Sequence, residues 1–305
     1  MTGAGTVPVI AVVGPTAAGK STLGIALAEA LGGEVVNTDS MQLYRGMDVG
    51  TAKVTDAERG GVPHHLLDIW DVTEAASAAA YQRLARTTVD ALRAAGRAPV
   101  LVGGSGLYVR AVLDRLEFPG TDPAARARLE AELAVLGPGA LHERLGGLDP
   151  AAAVAILPSN GRRIVRALEV IELTGRPFTA TLPAPAPYYD AVQIGIDLEP
   201  AALDARVDSR VDAMWAAGLV DEVRALAAVG LRDGPTASRA LGYAQVLRLI
   251  DGELTEDEAR AQTKQATRRF VRRQRSWFRR DDRVHWLDAA RPDLLDAALA
   301  LVPPR

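Results

Sequence analysis

Residues 12–22 read VVGPTAAGKST, and the architecture follows from this stretch. Gly14, Pro15, Thr16, Ala17, Ala18, Gly19, Lys20 and Ser21 match G-x-x-x-x-G-K-[ST], a phosphate-binding loop or P-loop. Its glycines let backbone N–H groups converge on phosphate oxygens. The helix start adds partial positive charge, Lys20 adds a full one, and the Ser21 hydroxyl can hold Mg2+. The context agrees: VPVIAVVG before the loop is a buried-strand run, and STLGIALAEALG after it is a helix closed by Gly32 and Gly33 in a C-cap role. Working outward, EVVNTD reads as a second strand and APVLVGG as a third, with a helix over about 77–95 between them. AVQIGIDL, 191–198, is a further strand of the same sheet. Strands alternating with helices imply an α/β, doubly wound, mostly parallel sheet of the P-loop NTPase-like kind.

Between these segments the texture changes. TDPAARARLEAELAVLG opens with Asp122 as N-cap and Pro123 at the first helical position, and Leu129, Leu133 and Leu136 share one helical face. PSNGRRIVRALEVIELTGRP is a second helix, capped by Asn160 or Ser159 and ended by Gly175, and TLPAPAPYY is a Pro-rich linker. Residues 122–187 therefore form an inserted all-helical domain, with 1–121 and 188–305 supplying the catalytic core and a largely helical C-terminal part. The longest C-terminal helix starts at TEDE, where Thr255 and Glu258 make a capping box.

The chain has 305 residues, 48% hydrophobic and 24% charged, an ordinary globular balance. It has no cysteine, which excludes disulfides, thiolate nucleophiles and Cys-based zinc sites and fits a reducing compartment. The N-terminal apolar run lacks a basic flank and is too short to span a bilayer, so a cytoplasmic, membrane-free protein is expected; a monomer is expected as well. The net charge of −3 hides an asymmetry: residues 260–283 carry +8, so the remainder carries −11. A concentrated basic stretch on an acidic body can dock a polyanion.

A P-loop by default signals an NTPase or small-molecule kinase, with a second carboxylate for the metal at the end of an apolar strand. Here the third strand ends in VLVGGSG, with no acid. Asp39, in NTDSMQLYRGMDVGTAK, stands instead at the carboxyl end of the second strand, the edge that faces the ligand crevice. It can cap the following turn, act as a general base on a second substrate, or be the missing metal ligand. GGSGLY, 103–108, is a turn at the same edge. Its donors and the Ser105 hydroxyl can reach the same anion, and its glycines are expected to supply φ > 0. His64 and His65 are adjacent, a spacing that suits a structural role better than a shared metal.

These residues together resemble the tRNA dimethylallyltransferases (tRNA isopentenyltransferases). The likeness runs collinearly through GPTAAGKS, DSMQLYRGMDVGTAK, PHHLLDI, LVGGSGLY, RRIVRALEV, SRALGYAQ and TRRFVRRQRSW, nearly the whole chain. The resemblance implies transfer of a dimethylallyl group from its diphosphate to N6 of the adenosine 3′ to the anticodon, in tRNAs reading codons that begin with U. By the same resemblance, the loop from Gly14 to Ser21 holds the donor diphosphate with Mg2+ at Ser21, and Asp39 is the base facing N6. Lys20, Ser105 and Arg239 would stabilise the leaving group. Asp39, Ser40, Met41 and Gln42 would meet the target base and its neighbours, and Arg126, Arg162, Arg163 and Arg166 the tRNA. The resemblance further implies that Ser105 stands where most relatives carry Thr.

ATRRFVRRQRSWFRR divides in the same spirit. Phe270, Val271, Gln274, Trp277 and Phe278 form a stripe assigned to the core, and the arginines, Arg272 and Arg273 among them, are either a solvated face or phosphate contacts. Seven Arg between 268 and 280 without an acid favour phosphate. Three rivals remain: an adenylate isopentenyltransferase, which would lack the insert and the basic helix; a small-molecule kinase with Asp39 as base; and a tRNA-binding module without chemistry.

Overall fold

Every residue of Val9–Val13 (β1) is buried, as required of a strand covered by helices on both faces. In the computed structural model, which describes residues 7–178 and 183–304, β1 lies inside a six-stranded sheet. The other strands are β2 (Glu34–Asn37), β3 (His64–His65), β4 (Pro99–Val102), β5 (Ala191–Asp197) and β6 (Val284–Asp288). Their order is β3-β2-β4-β1-β5-β6, and every pairing is parallel. Register places Val12 beside both Val102 and Ile194. The loops leaving β1, β2 and β4 therefore open on one edge of the sheet, where open α/β sheets bind ligands.

The chain divides into two compact units, Met1–Arg115 with Pro187–Arg305, and Leu116–Ala186. In the first unit, α1 (Lys20–Ala30) covers one face of the sheet, and α2 (Ala78–Ala94) and α3 (Gly106–Leu113) cover the other. The second unit is helical throughout its described elements: α4 (Pro123–Leu148), α5 (Pro150–Ala155) and α6 (Gly161–Thr174). The first unit continues with α7 (Pro200–Ala216), α8 (Leu219–Ala228), α9 (Tyr243–Ile250), α10 (Glu256–Phe278) and α11 (Leu294–Leu299). A third core, built from α7 to α10 with Tyr44 and Met47, lies under the loop that follows β2.

The capping signals act as read. The Asp122 carboxylate accepts the N–H groups of Ala124 and Ala125, the Asn160 side chain accepts Arg163 N–H, Gly175 is left-handed at φ 64°, and Thr255 and Glu258 bond reciprocally. One expectation changes, and two strands are added. Leu136 is 60% exposed while Leu129 is fully buried, because α4 breaks at Gly137, whose φ of 78° ends the stripe one residue after Leu136. β3 and β6 carry no continuous apolar run: β3 is two histidines, and β6, VHWLD, is a half-exposed edge strand. Neither stands out as a strand from residue pattern alone. Of the linker TLPAPAPYY, Thr181 and Leu182 lie outside the described residues.

Candidate active site

The cradle is built by local backbone demands. Gly14 has φ 136°, and a Cβ there would sit 2.2 Å from the Ile196 carbonyl oxygen. Ala17 is held at φ 69° and Gly19 at φ 100°, so the loop curls tightly and α1 begins at Lys20. The Lys20 ammonium donates to the Pro15 carbonyl at 2.7 Å, folded over its own loop. Burial lowers its pKa to about 8; the Asp39 carboxylate opposes that shift and the Arg210 guanidinium adds to it.

Asp39 follows the end of β2. Its N–H donates to Asn37 Oδ1, and one of its carboxylate oxygens accepts Met41 N–H at 2.9 Å. The capping role is therefore real, and it uses Oδ1 alone. Oδ2 accepts no hydrogen bond from the described residues. The Ser40 N–H donates to Ser105 Oγ at 3.2 Å, and the two hydroxyls are 3.2 Å apart, which ties the β2 edge to the turn after β4. The glycines of that turn are explained by packing and not by conformation. None has a left-handed φ; a Cβ at Gly103 would meet Thr38 Oγ1 at 2.3 Å, at Gly104 the Gln274 amide nitrogen at 2.3 Å, and at Gly106 the Trp277 indole nitrogen at 2.0 Å.

Two hollows meet at Asp39. The smaller, about 70 Å³, is the cradle side and takes in Lys20, Ser21, Gln42 and His64. The larger, about 350 Å³, is mostly apolar, with Val207, Val211, Met214, Leu241, Tyr243 and Phe270 in its wall and Ser40, Met41, Ser105, Arg239 and Arg273 around them. Thr16, Asp39, Thr51 and Arg210 border both. A carboxylate thus stands where a phosphate cradle opens into an apolar chamber rimmed with arginine. Phe270 belongs to this wall and Trp277 is 37% exposed, so the core stripe of α10 narrows to Val271, Gln274 and Phe278.

Two residues at this junction escaped the motif reading. Arg210 sits on the same face of α7 as Val207 and Met214. An arginine on an apolar helical stripe was the available signal. Gln274, 4% exposed, accepts Thr16 N–H at 2.9 Å and donates to the Gly104 carbonyl at 2.9 Å. It joins the cradle, the β4 turn and α10 into one body. The Thr16 amide is thereby spent on Gln274, leaving its hydroxyl for a ligand.

Several of the other expected RNA contacts have partners of their own. On α10, Arg268, Arg272 and Lys264 pair with Asp208, Asp204 and Asp212, an acidic stripe of α7, and Arg275 and Arg279 pair with Asp197. Arg273 has no carboxylate partner among the described residues and lies over the Phe270 ring. In the helical unit, Arg126 and Arg166 both bind the buried Glu169 carboxylate, and Arg166 also holds the Pro119 and Gly120 carbonyls. Arg162 and Arg163 are exposed in the first turn of α6. His65 pairs with Glu34 and His64 with the Val62 carbonyl.

No group of three or more His, Asp or Glu among the described residues could by itself hold a metal. The hard oxygen donors at the junction, Ser21 Oγ and the Asp39 carboxylate, fit an ion such as Mg2+, which keeps waters and shares itself with phosphate oxygens. No described helix is long and apolar enough to cross a membrane.

Known proteins resemble this chain over nearly its full length. A tRNA dimethylallyltransferase from Salinispora arenicola is 72% identical over 294 residues, covering 96% of this chain and 86% of the relative. A solved tRNA isopentenylpyrophosphate transferase from Bacillus halodurans is 42% identical with a TM-score of 0.71, covering 96% of this chain and 94% of that one. A eukaryotic dimethylallyltransferase acting on tRNA is 25% identical with a TM-score of 0.81, covering 97% and 78%. The family model described as IPP transferase matches residues 42–281, which include most of the chamber wall, the helical unit and α10. With that match and those relatives, the chain belongs to the IPP transferase family.

Proposed function

We propose that this protein transfers a dimethylallyl group from dimethylallyl diphosphate to N6 of the adenosine 3′ to the anticodon in tRNAs reading codons that begin with U. The products are N6-isopentenyladenosine and diphosphate. The observation that carries this reading is the placement of Asp39 between a phosphate cradle and an apolar, arginine-rimmed chamber. A kinase needs its base beside a γ-phosphate. Here the base borders a chamber suited to a five-carbon chain and a flipped base.

The chemistry follows from the residues. The adenine N6 lone pair is delocalised, so N6 becomes a nucleophile as its proton passes to Asp39, whose Oδ2 is the oxygen not used on Met41. The N6–C1 bond forms while the allylic C1–O bond breaks, and the electron pair leaves with the diphosphate. Lys20, Arg210 and the cradle amides offset the charge that grows on the bridging oxygen, with the Ser105 hydroxyl and Arg239 bordering the chamber beside them. Mg2+ would be held at Ser21, with the Asp39 carboxylate beside it, and would supply further charge neutralisation when bound. No phosphoanhydride is cut, so the acid-free end of β4 is no handicap. The anticodon loop presents unstacked bases, and this reading assigns its phosphates to Arg273 of α10 and to the exposed Arg162 and Arg163 of α6. A cytoplasmic reaction is part of this reading, since its acceptor is tRNA.

The test is direct. Protein, dimethylallyl diphosphate, Mg2+ and unmodified tRNA are incubated, the RNA is digested, and the nucleosides are weighed. Adenosine gaining one isopentenyl unit is the expected result. Prenylated AMP with unchanged tRNA would identify an adenylate isopentenyltransferase, and ATP turnover without a mass gain would identify a kinase.

A further inference from the structure

The loop after β2, residues 47–53, walls both hollows: Thr51 borders the two of them, Ala52 the cradle side and Gly50 the chamber. It is held at one end by Lys53, whose ammonium binds Asp48, Asp68 and the Tyr44 carbonyl, and at the other from α8. The Glu222 carboxylate accepts three consecutive backbone N–H groups, with Oε2 on Asp48 and Val49 at 3.1 and 2.6 Å and Oε1 on Gly50 at 3.1 Å. Oε1 also accepts the Tyr243 hydroxyl. Three successive amides turned to one point make an anion-binding nest. Here the chain fills the nest with its own carboxylate, and Glu222 has no ion pair with any described cation. The Tyr243 ring closes the arrangement: it lines the chamber and lies where a Cβ on Gly50 would come within 2.5 Å of it. From the held loop the order passes inward. The Thr51 and Ala52 carbonyls both accept from the Gln42 side-chain amide, at 3.1 and 3.4 Å, and Gln42 borders the cradle side beside Asp39.

We propose that Glu222 is a positioning residue for prenyl transfer: by filling the Asp48–Gly50 nest it fixes the loop, Tyr243 and Gln42, and so the wall against which donor and acceptor are aligned. The inference rests on the prenyl-transfer reading of the site. Glu222 touches neither the cradle nor Lys20. Its loss therefore acts on alignment, where a displacement of about 1 Å costs on the order of 10²-fold in rate, and leaves the grip on diphosphate alone.

The experiment compares wild type, Glu222→Ala and Glu222→Gln. The expected outcome for Glu222→Ala is a kcat about 10²-fold lower, with the Kd for inorganic diphosphate within about twofold of wild type, since the cradle is untouched. Added formate should refill the nest and raise kcat at least severalfold, and chloride at equal ionic strength should not. Glu222→Gln, which keeps the size but turns an NH2 toward backbone N–H groups, should also lose kcat. Amide exchange of residues 47–53, measured without substrates, should quicken in both variants and slow again in Glu222→Ala with formate. A wild-type kcat in either variant, a rate loss that only tracks the folded fraction, or faster exchange that formate does not reverse would overturn the proposal. A wild-type enzyme that transfers no prenyl group would instead sink the function assigned above, while the exchange data would still decide whether Glu222 orders the loop.

Discussion

Replacing Gln274 with leucine removes the bond between the phosphate cradle and the basic helix while keeping the volume. Two backbone groups lose their partner. The Gly104 carbonyl is buried and bears the full cost of an unsatisfied group, while Thr16 N–H is half-buried and recovers part of its loss from water. At about 1–3 kcal/mol per unsatisfied group, the variant should lose about 2–4 kcal/mol. In a cooperative unit of roughly 230 residues, at about 2 °C per kcal/mol, that is a fall of about 4–8 °C in Tm. Calorimetry measures the fall, and titration with inorganic diphosphate measures the coupled effect: with the two turns no longer tied together, affinity should drop several-fold. Gln274→Glu keeps the acceptor for Thr16 N–H but sets a carboxylate against the Gly104 carbonyl, so it should be no better than leucine. A leucine variant that melts within 2 °C of wild type, where about 4 °C is the least expected, and binds diphosphate normally would show that the latch carries no weight.

Three further outcomes can be checked. The Lys20 ammonium has a pKa of about 8 in the open site, and a bound diphosphate favours its charged form. Affinity should therefore be flat below pH 8 and fall up to about tenfold per pH unit above it, as binding must first recover the proton. Titrations across pH should lose this limb in Lys20→Met and show it displaced to higher pH in Arg210→Ala, which removes a neighbouring positive charge. Asp39→Asn should lower kcat by about 10²–10⁴-fold in single-turnover assays with the turn after β2 kept, because the amide oxygen can still accept Met41 N–H. Salt titrations of RNA binding should separate two neighbours on α10. Arg273→Ala, with no carboxylate partner, should reduce the slope of log K against log salt by roughly 0.7–0.9, and Arg272→Ala, already paired with Asp204, by clearly less.

What could be read in the sequence is what neighbouring residues decide. Eight consecutive positions encode the cradle, because its φ demands at Gly14 and Gly19, its helix start and its lysine are all local. The caps at Asp122, Asn160 and Thr255, and the all-buried β1, are legible for the same reason. Asp39 could be placed at the ligand edge because strand ends in a parallel sheet share one side. The folded chain alone decided the use of residues whose partners are remote. Gln274 meets Thr16 across 258 positions and Glu222 meets Asp48 across 174. Arg210 borders both hollows beside Asp39 only because α7 packs near the sheet edge, and the arginines of α10 divide into paired and unpaired ones according to where the acids of α7 and β5 fall. The glycines of GGSG belong to the same class, being small for the sake of α10 and Thr38 and not for their own dihedral angles. Such contacts come from the packing of whole elements, a sum over many weak non-local terms, and no window of a single sequence contains that sum.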